Sequence, residues 1–295
     1  MIPIVYVRFG KPQSHTYLST KHAFEQNDIV HYIGEKGDLP FTSKLGFHEI
    51  SKYENDIYKL KQLYIPLSSN SPIFEFYCIA RWFVLKNFAR KHNIDRLYYC
   101  DDDVYNFCNI NDISDIYSDY FASFCITSVS DEMNSISACC SFWTLAALED
   151  FCEFVLDEYA NNIDKYIKRW HYCFNNNIRG GVSDMTLLYH FCVNRNIGNL
   201  NKLTTHGCFD SNPLSKGIWL LDEYRMEKPK DLGNREIKAI RFRENKAFAY
   251  NYIRDQEIRI LAAPEYAKFD ALRNKNKDKL KRKILSAFKF SFRNI

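Results

Sequence analysis

The chain has 295 residues, 46% hydrophobic and 26% charged, the balance of a globular protein with room for one large α/β domain or two small ones. No uninterrupted apolar stretch approaches the roughly 20 residues that cross a bilayer, and the ten cysteines include no CxxC pair, which argues against a zinc ribbon or a thioredoxin-type site. The net charge of +4 is uneven: from Lys268 to Arg293 there are ten Lys or Arg against two Asp, so the rest of the chain is slightly acidic. The chain opens Met1-Ile2-Pro3 with no charged-then-apolar leader, and Cys78, Cys125, Cys152 and Cys192 sit in apolar runs. Both features predict reduced thiols in a cytosolic setting, with the adjacent Cys139-Cys140 pair structural. Aromatic residues at 16% predict a ring-rich core.

Ile2 to Val7 is a short apolar run that predicts a buried first strand, followed by the polar turn Arg8-Phe9-Gly10-Lys11-Pro12. A helix over Ser14 to Gln26 and a strand over Asp28 to Ile33, closed by Gly34, complete a β-loop-α-β start. That is the opening of a doubly wound sheet, here without the GxGxxG of dinucleotide binding. Residues 37 to 70, interrupted by Gly37, Pro40, Gly46, Pro66 and a Ser/Asn cluster, read as loops and one short helix. Ser71-Pro72, with Glu75 in the first turn, opens a strong helix that ends near His92-Asn93, and Ile94 to Cys100 follows as a strand. Strands over Phe121 to Val129 and Ser135 to Phe142 precede a helix over Thr144 to Tyr159. A polar, Asn-rich stretch leads to Gly180-Gly181, and Ser183 caps a helix over residues 182 to 193. Ile237 to Phe242 and Ala247 to Ile253 flank a hairpin turn, Ile258 to Leu261 is a last strand, and a basic helix runs from Pro264.

The central motif is Leu97-Tyr98-Tyr99-Cys100-Asp101-Asp102-Asp103. An apolar strand delivers three carboxylates to the carboxyl edge of the sheet, where ligands of open α/β folds bind. Adjacent carboxylates repel unless a cation neutralises them, and an oxygen-rich site of this kind suits Mn or Mg together with substrate phosphate oxygens. The alternative is a solvated acidic turn. The motif in this context resembles the DXD motif of GT-A glycosyltransferases, of the type that builds bacterial capsule or lipopolysaccharide. The resemblance runs in element order from residue 2 to about 262. It implies a GT-A α/β domain over 1–262, a Rossmann-like mixed sheet flanked by helices, with a tail over 263–295. It also implies that Asp101 and Asp103 hold the metal, with Asp102 between them, and that the donor is a nucleoside-diphosphate sugar, UDP-hexose being commonest.

Four other features bear on the site. Gly180-Gly181 lets backbone approach closely before a helix N-terminus, and Asp184 is either a residue complementing the helix dipole or, as the resemblance implies, the acid that lines the sugar pocket or acts as base. Arg81 has the fork that suits a diphosphate, or pairs with a neighbouring acid on its helix. Arg8 and Lys11 follow the first strand, where nucleotide-pocket loops lie. His206 is the candidate third metal ligand, because the family's late His motif is replaced here by Leu261-Ala262-Ala263-Pro264. The tail alternates basic with apolar and aromatic residues, which suits an anionic membrane surface and a lipid-linked glycan acceptor on the inner face of the membrane. No nucleic-acid motif is present. The expected function is therefore metal-dependent sugar transfer to a hydroxyl of a surface glycan. The alternatives are a sugar nucleotidyltransferase and a non-catalytic membrane-associated binding protein.

Overall fold

The structure, a computed structural model, describes residues 1–37, 45–127, 135–212, 214, 223–229, 233–244, 246–271 and 274–275. Strand β1 (Ile4–Val7) is buried along its whole length, as a central strand covered on both faces must be. Helix α1 (Ser14–Gln26) returns the chain to β2 (Val30–Gly34), which pairs parallel with β1. The stretch expected to be loops contains a further strand, β3 (Leu45–Glu49), parallel to β2 at the sheet edge, and then helix α2 (Ile57–Leu63). Gly46 reads as a breaker in the sequence, yet here it lies within the strand. A Cβ on it would come within 2.4 Å of His31 Nδ1, so the missing side chain makes room for the imidazole beside it.

Helix α3 (Pro72–Lys91) begins with Pro at its first position, where the missing N–H costs nothing. It buries Ile79, Trp82, Phe83, Leu85 and Phe88, a broad face suited to lying between sheet and neighbouring helices. Strand β4 (Arg96–Cys100) then pairs parallel with β1, and the two-residue β5 (Tyr105–Asn106) follows. Strands β6 (Ala122–Thr127) and β7 (Ser135–Thr144) are antiparallel to each other, and β7 is antiparallel to β4. Thr144 caps helix α4 (Leu145–Asn161), its Oγ1 accepting from Ala147 N at 3.1 Å. The Asn-rich stretch hides helix α5 (Ile163–Asn175), which buries Tyr166 and Cys173 and leaves the rest of its surface largely wet. Helix α6 (Asp184–Cys192) starts at Ser183 with a reciprocal cap between Ser183 and Thr186, and β8 (Ile197–Asn199) joins β6 in parallel.

The main sheet thus has seven strands in the order β3-β2-β1-β4-β7-β6-β8. Alternation along β1 and β4 sends Val5, Val7, Leu97 and Tyr99 into the cluster shared with α3, α4 and α6. Ile4, Tyr6, Tyr98 and Cys100 go to the opposite cluster, on the α1 face. This is the expected Rossmann-like mixed sheet flanked by helices.

The C-terminal part adds β9 (Met226–Glu227) paired with β10 (Ile237–Lys238), and the meander β11 (Ile240–Arg243), β12 (Lys246–Asn251) and β13 (Gln256–Ile260), whose first turn is the predicted hairpin. Strand β14 (Ala262–Ala263) pairs back with β5, and residues 266–271 are helical, with Tyr266, Ala267 and Phe269 buried in a third cluster. This packing crosses the boundary expected at 262/263. Residues 276–295, which carry most of the basic tail, lie outside the described residues. No helix among the described residues is long and apolar enough to cross a membrane.

Candidate active site

Strand β4 ends at the sheet's carboxyl edge in a tight turn, with Asp101 N donating to Cys139 O at 2.8 Å and Val104 N to Asp101 O at 3.1 Å. The turn fans the three carboxylates apart, and each meets a different cation. Asp101 Oδ1 accepts from Arg81 Nη1 at 2.5 Å and from Tyr99 OH at 2.6 Å. Asp102 turns toward α1, where Oδ2 accepts from Arg8 Nη1 and from Thr16 Oγ1 at 2.5 Å, with His15 Nε2 3.4 Å away. Asp103 pairs with Lys268 Nζ. Three adjacent anions are affordable because three cations divide them.

The environments separate the carboxyls chemically. Burial pushes Asp101 above the usual carboxylate range, against the pull of Arg81, and the charge of Asp103 adds to it. Burial acts the same way on Asp102, but the hydrogen bond from His15 and the charge of Arg8 outweigh it and hold Asp102 down to about 2. Lys268 is held above the ordinary lysine range: burial lowers it, and the opposing Asp103 charge wins. Asp102 is therefore held as an anion by its partners on and before α1, and all three aspartates line a cavity of about 1020 Å³.

Arg81 does not present a free fork to that cavity. Its Nη1 is on Asp101 and its Nη2 on Asp184 Oδ2 at 2.5 Å, with the guanidinium carbon 4.9 Å from the Trp82 ring centroid. Asp184, 4% exposed, also accepts from Trp82 Nε1 at 3.3 Å. It is thus buried in the cavity wall and joined through Arg81 to Asp101, more than a solvated first-turn acid. Gly181 does allow a close approach, but to the protein's own backbone: its φ is +141°, and a Cβ would meet Leu67 O at 2.3 Å. Ser69 N to Gly180 O at 2.9 Å and Val182 N to Leu67 O at 2.8 Å close this clasp.

Arg8 lines the cavity; Lys11 does not, and only its carbonyl takes part, accepting from Arg8 Nε at 2.9 Å. His206 is not brought to the aspartates. It sits in a tight turn, where its N–H donates to Thr204 Oγ1 at 3.2 Å and Gly207 N to Thr204 O at 3.2 Å, away from the cavity lining. Among the described residues no third His, Cys or carboxylate converges with Asp101 and Asp103. The residues nevertheless fit Mn or Mg, which commonly takes one or two protein carboxylates and completes its shell with phosphate oxygens and water. The donor set is right, since neither Asp101 Oδ2 nor Asp103 Oδ1 has a hydrogen-bond partner among the described residues.

No family model and no curated protein matches this chain. Among solved structures, mouse xyloside xylosyltransferase 1 is similar at 12% identity over 68% of this chain and 85% of that one, with a TM-score of 0.47. The galactosyltransferase LgtC, solved with donor and acceptor sugar analogs, is similar at 11% identity over 68% and 73%, with a TM-score of 0.38. The glycosyltransferase GlyE of Streptococcus pneumoniae is similar at 10% identity over 68% and 45%, with a TM-score of 0.39.

Two wall residues were not legible as site residues. Glu75, which the sequence marks only as a first-turn acid, is 3% exposed in the cavity wall and accepts from Asn70 Nδ2 at 2.6 Å. Burial pushes its carboxyl upward. Lys268 reads as one basic residue among ten, and only β14 folding back on β5 carries it to Asp103. The departure from the late His motif at Leu261-Ala262-Ala263-Pro264 marked the right segment without marking the residue.

Proposed function

We propose that this protein is a metal-dependent glycosyltransferase that moves a sugar from a nucleoside-diphosphate sugar to a hydroxyl of a growing glycan. The observation that carries the proposal is the convergence of Asp101, Asp103, Arg81 and Asp184 on one cavity of about 1020 Å³ at the carboxyl edge of the sheet. That space matches the upper range for small-molecule sites and a ligand as large as a nucleotide sugar. Asp101 and Asp103 would hold the divalent ion, which supplies charge neutralisation for a departing nucleoside diphosphate. Arg8 and Lys268, also on the wall, add positive potential where phosphates would lie. Asp184 is fixed by Arg81 and Trp82 through Oδ2, which leaves its other oxygen to accept from a sugar hydroxyl.

Product analysis tests the reaction class. With a panel of UDP-, GDP- and CMP-linked sugars and Mn, a glycosyltransferase releases the donor nucleotide and no pyrophosphate. In a parallel mixture of nucleoside triphosphates and sugar 1-phosphates, release of pyrophosphate would instead support a sugar nucleotidyltransferase. The proposed lipid-linked acceptor and inner-membrane location rest on the sequence of residues 276–295. Removal of those residues should abolish co-sedimentation with anionic vesicles and spare the fold, because packing continues through Phe269. Undiminished sedimentation of the truncated protein would sink the membrane part.

A further inference from the structure

Cys125, Cys139 and Cys140 offer three sulfurs that all lie within 4.8 Å of one another, the one such group of three potential ligands among the described residues. Neighbouring residues of a regular strand point to opposite faces, so Cys139 and Cys140 should not share a site. They do so because the sheet is irregular there. The pairing of β6 with β7 jumps from Phe124↔Ser141 to Cys125↔Ser137, which leaves Ala138, Cys139 and Cys140 as extra residues on β7. Such a bulge re-aims side chains, and bulges concentrate next to active sites.

One sulfur spacing matches that of a metal thiolate and a second is slightly shorter. Cys125 Sγ is 3.5 Å from Cys140 Sγ, and Cys139 Sγ is 3.9 Å from Cys140 Sγ. A zinc–sulfur bond of about 2.3 Å places sulfurs about 3.8 to 4.0 Å apart in tetrahedral or trigonal geometry. Cys125 and Cys140 are 0% exposed and Cys139 is 8% exposed on the wall of the cavity described above. The cluster therefore has one open side, through which a cation and a completing water can enter.

We propose that Cys125, Cys139 and Cys140 form a binding site for one thiophilic d10 cation, Zn(II) in type, distinct from the oxygen site at Asp101 and Asp103. Soft sulfur ligands select such a cation over Mn or Mg. Binding exchanges thiol protons for the metal, the protons passing to solvent, with no change of oxidation state. The site is independent of the proposed sugar transfer, although it shares a wall with it: the Cys139 carbonyl is the acceptor for Asp101 N.

Stoichiometric Cd(II) added to the reduced full-length chain tests the site by native mass spectrometry and by alkylation. One Cd(II) per chain should persist in a large excess of Mn(II) and in Asp103→Ala, and be lost in Cys125→Ser and Cys140→Ser. Retention in both cysteine variants, or displacement by Mn(II), would overturn the proposal. A second reading in the wild-type chain covers the case of a serine variant that fails to fold. Cd(II) should slow maleimide labelling of Cys139 at least tenfold and leave Cys78 and Cys192 unchanged. Equal labelling rates at Cys139 with and without Cd(II) would refute it.

Discussion

Replacing Arg81 by Met separates the structural role of this residue from any contact with substrate. The guanidinium is 15% exposed and bridges Asp101, 30% exposed, to Asp184, 5% exposed. Met retains much of the volume and the contact with Trp82, so the loss is mostly electrostatic. Asp184 would keep only the 3.3 Å hydrogen bond from Trp82 Nε1 and would stand buried without a counter-charge. Removing one partner of a buried pair costs about 3 to 5 kcal/mol, far more than the net value of an intact pair. Urea unfolding followed by far-UV circular dichroism should show that loss for Arg81→Met. The double variant Arg81→Met/Asp184→Asn should recover about 1 to 3 kcal/mol of it, because the stranded charge is gone. A loss below about 1 kcal/mol in the single variant, or no recovery in the double, would show that the bridge does not carry the wall of this cavity.

Three further outcomes follow from neighbouring parts of the structure. Lys268→Met should tighten the binding of Mn(II) alone by roughly fivefold in a calorimetric titration, since a half-exposed lysine paired with Asp103 competes for about 1 kcal/mol; unchanged affinity would mean that Lys268 does not occupy the metal's oxygens. Gly181→Ala should destabilise the chain by about 1 to 3 kcal/mol and weaken nucleotide binding, because a left-handed φ and the Leu67 carbonyl both exclude a Cβ; wild-type stability would remove the clasp from the account. His31 and His48, whose rings meet at 3.1 Å, are both lowered to about 4, chiefly by burial and in smaller part by neighbouring imidazoles. The unfolded chain therefore takes up protons from about pH 6.5 downward that the folded chain refuses, and stability should fall as pH drops from about 6.5 to about 4, by up to about 1.4 kcal/mol per pH unit for each histidine. His48→Gln should flatten that slope, and a slope identical to wild type would contradict it.

Local signals carried most of the sheet and helix plan. Pro72 marks a helix start by its fixed φ and missing N–H, although the Ser71 side chain makes no cap hydrogen bond, and the apolar run before Asp101 marks a buried strand that delivers acids to an edge. Features that depend on packing were not legible. Helix α5 shows two buried residues under a wet surface, so its sequence reads as polar loop. Strand β3 contains a glycine whose reason is the His31 ring on the adjacent strand. The site divides along the same line. Asp101, Asp103 and Asp184 were marked by residue type next to a strand end or helix start, whereas the partners that determine their charge come from elsewhere in the chain. Lys268 is 165 residues from Asp103, and no spacing rule connects them. His206 misled because a loop histidine in sequence carries no information about which edge of the sheet its turn faces.

The most direct measurement is calorimetric binding of UDP, GDP and CMP, each with and without Mn(II), to the wild-type chain and to Asp103→Ala. The account predicts that one nucleotide binds in a manganese-dependent way and that this binding disappears in the variant. If no nucleotide binds, or if binding ignores both manganese and the substitution, the cavity at Asp101 and Asp103 is not a metal-assisted nucleotide-sugar site.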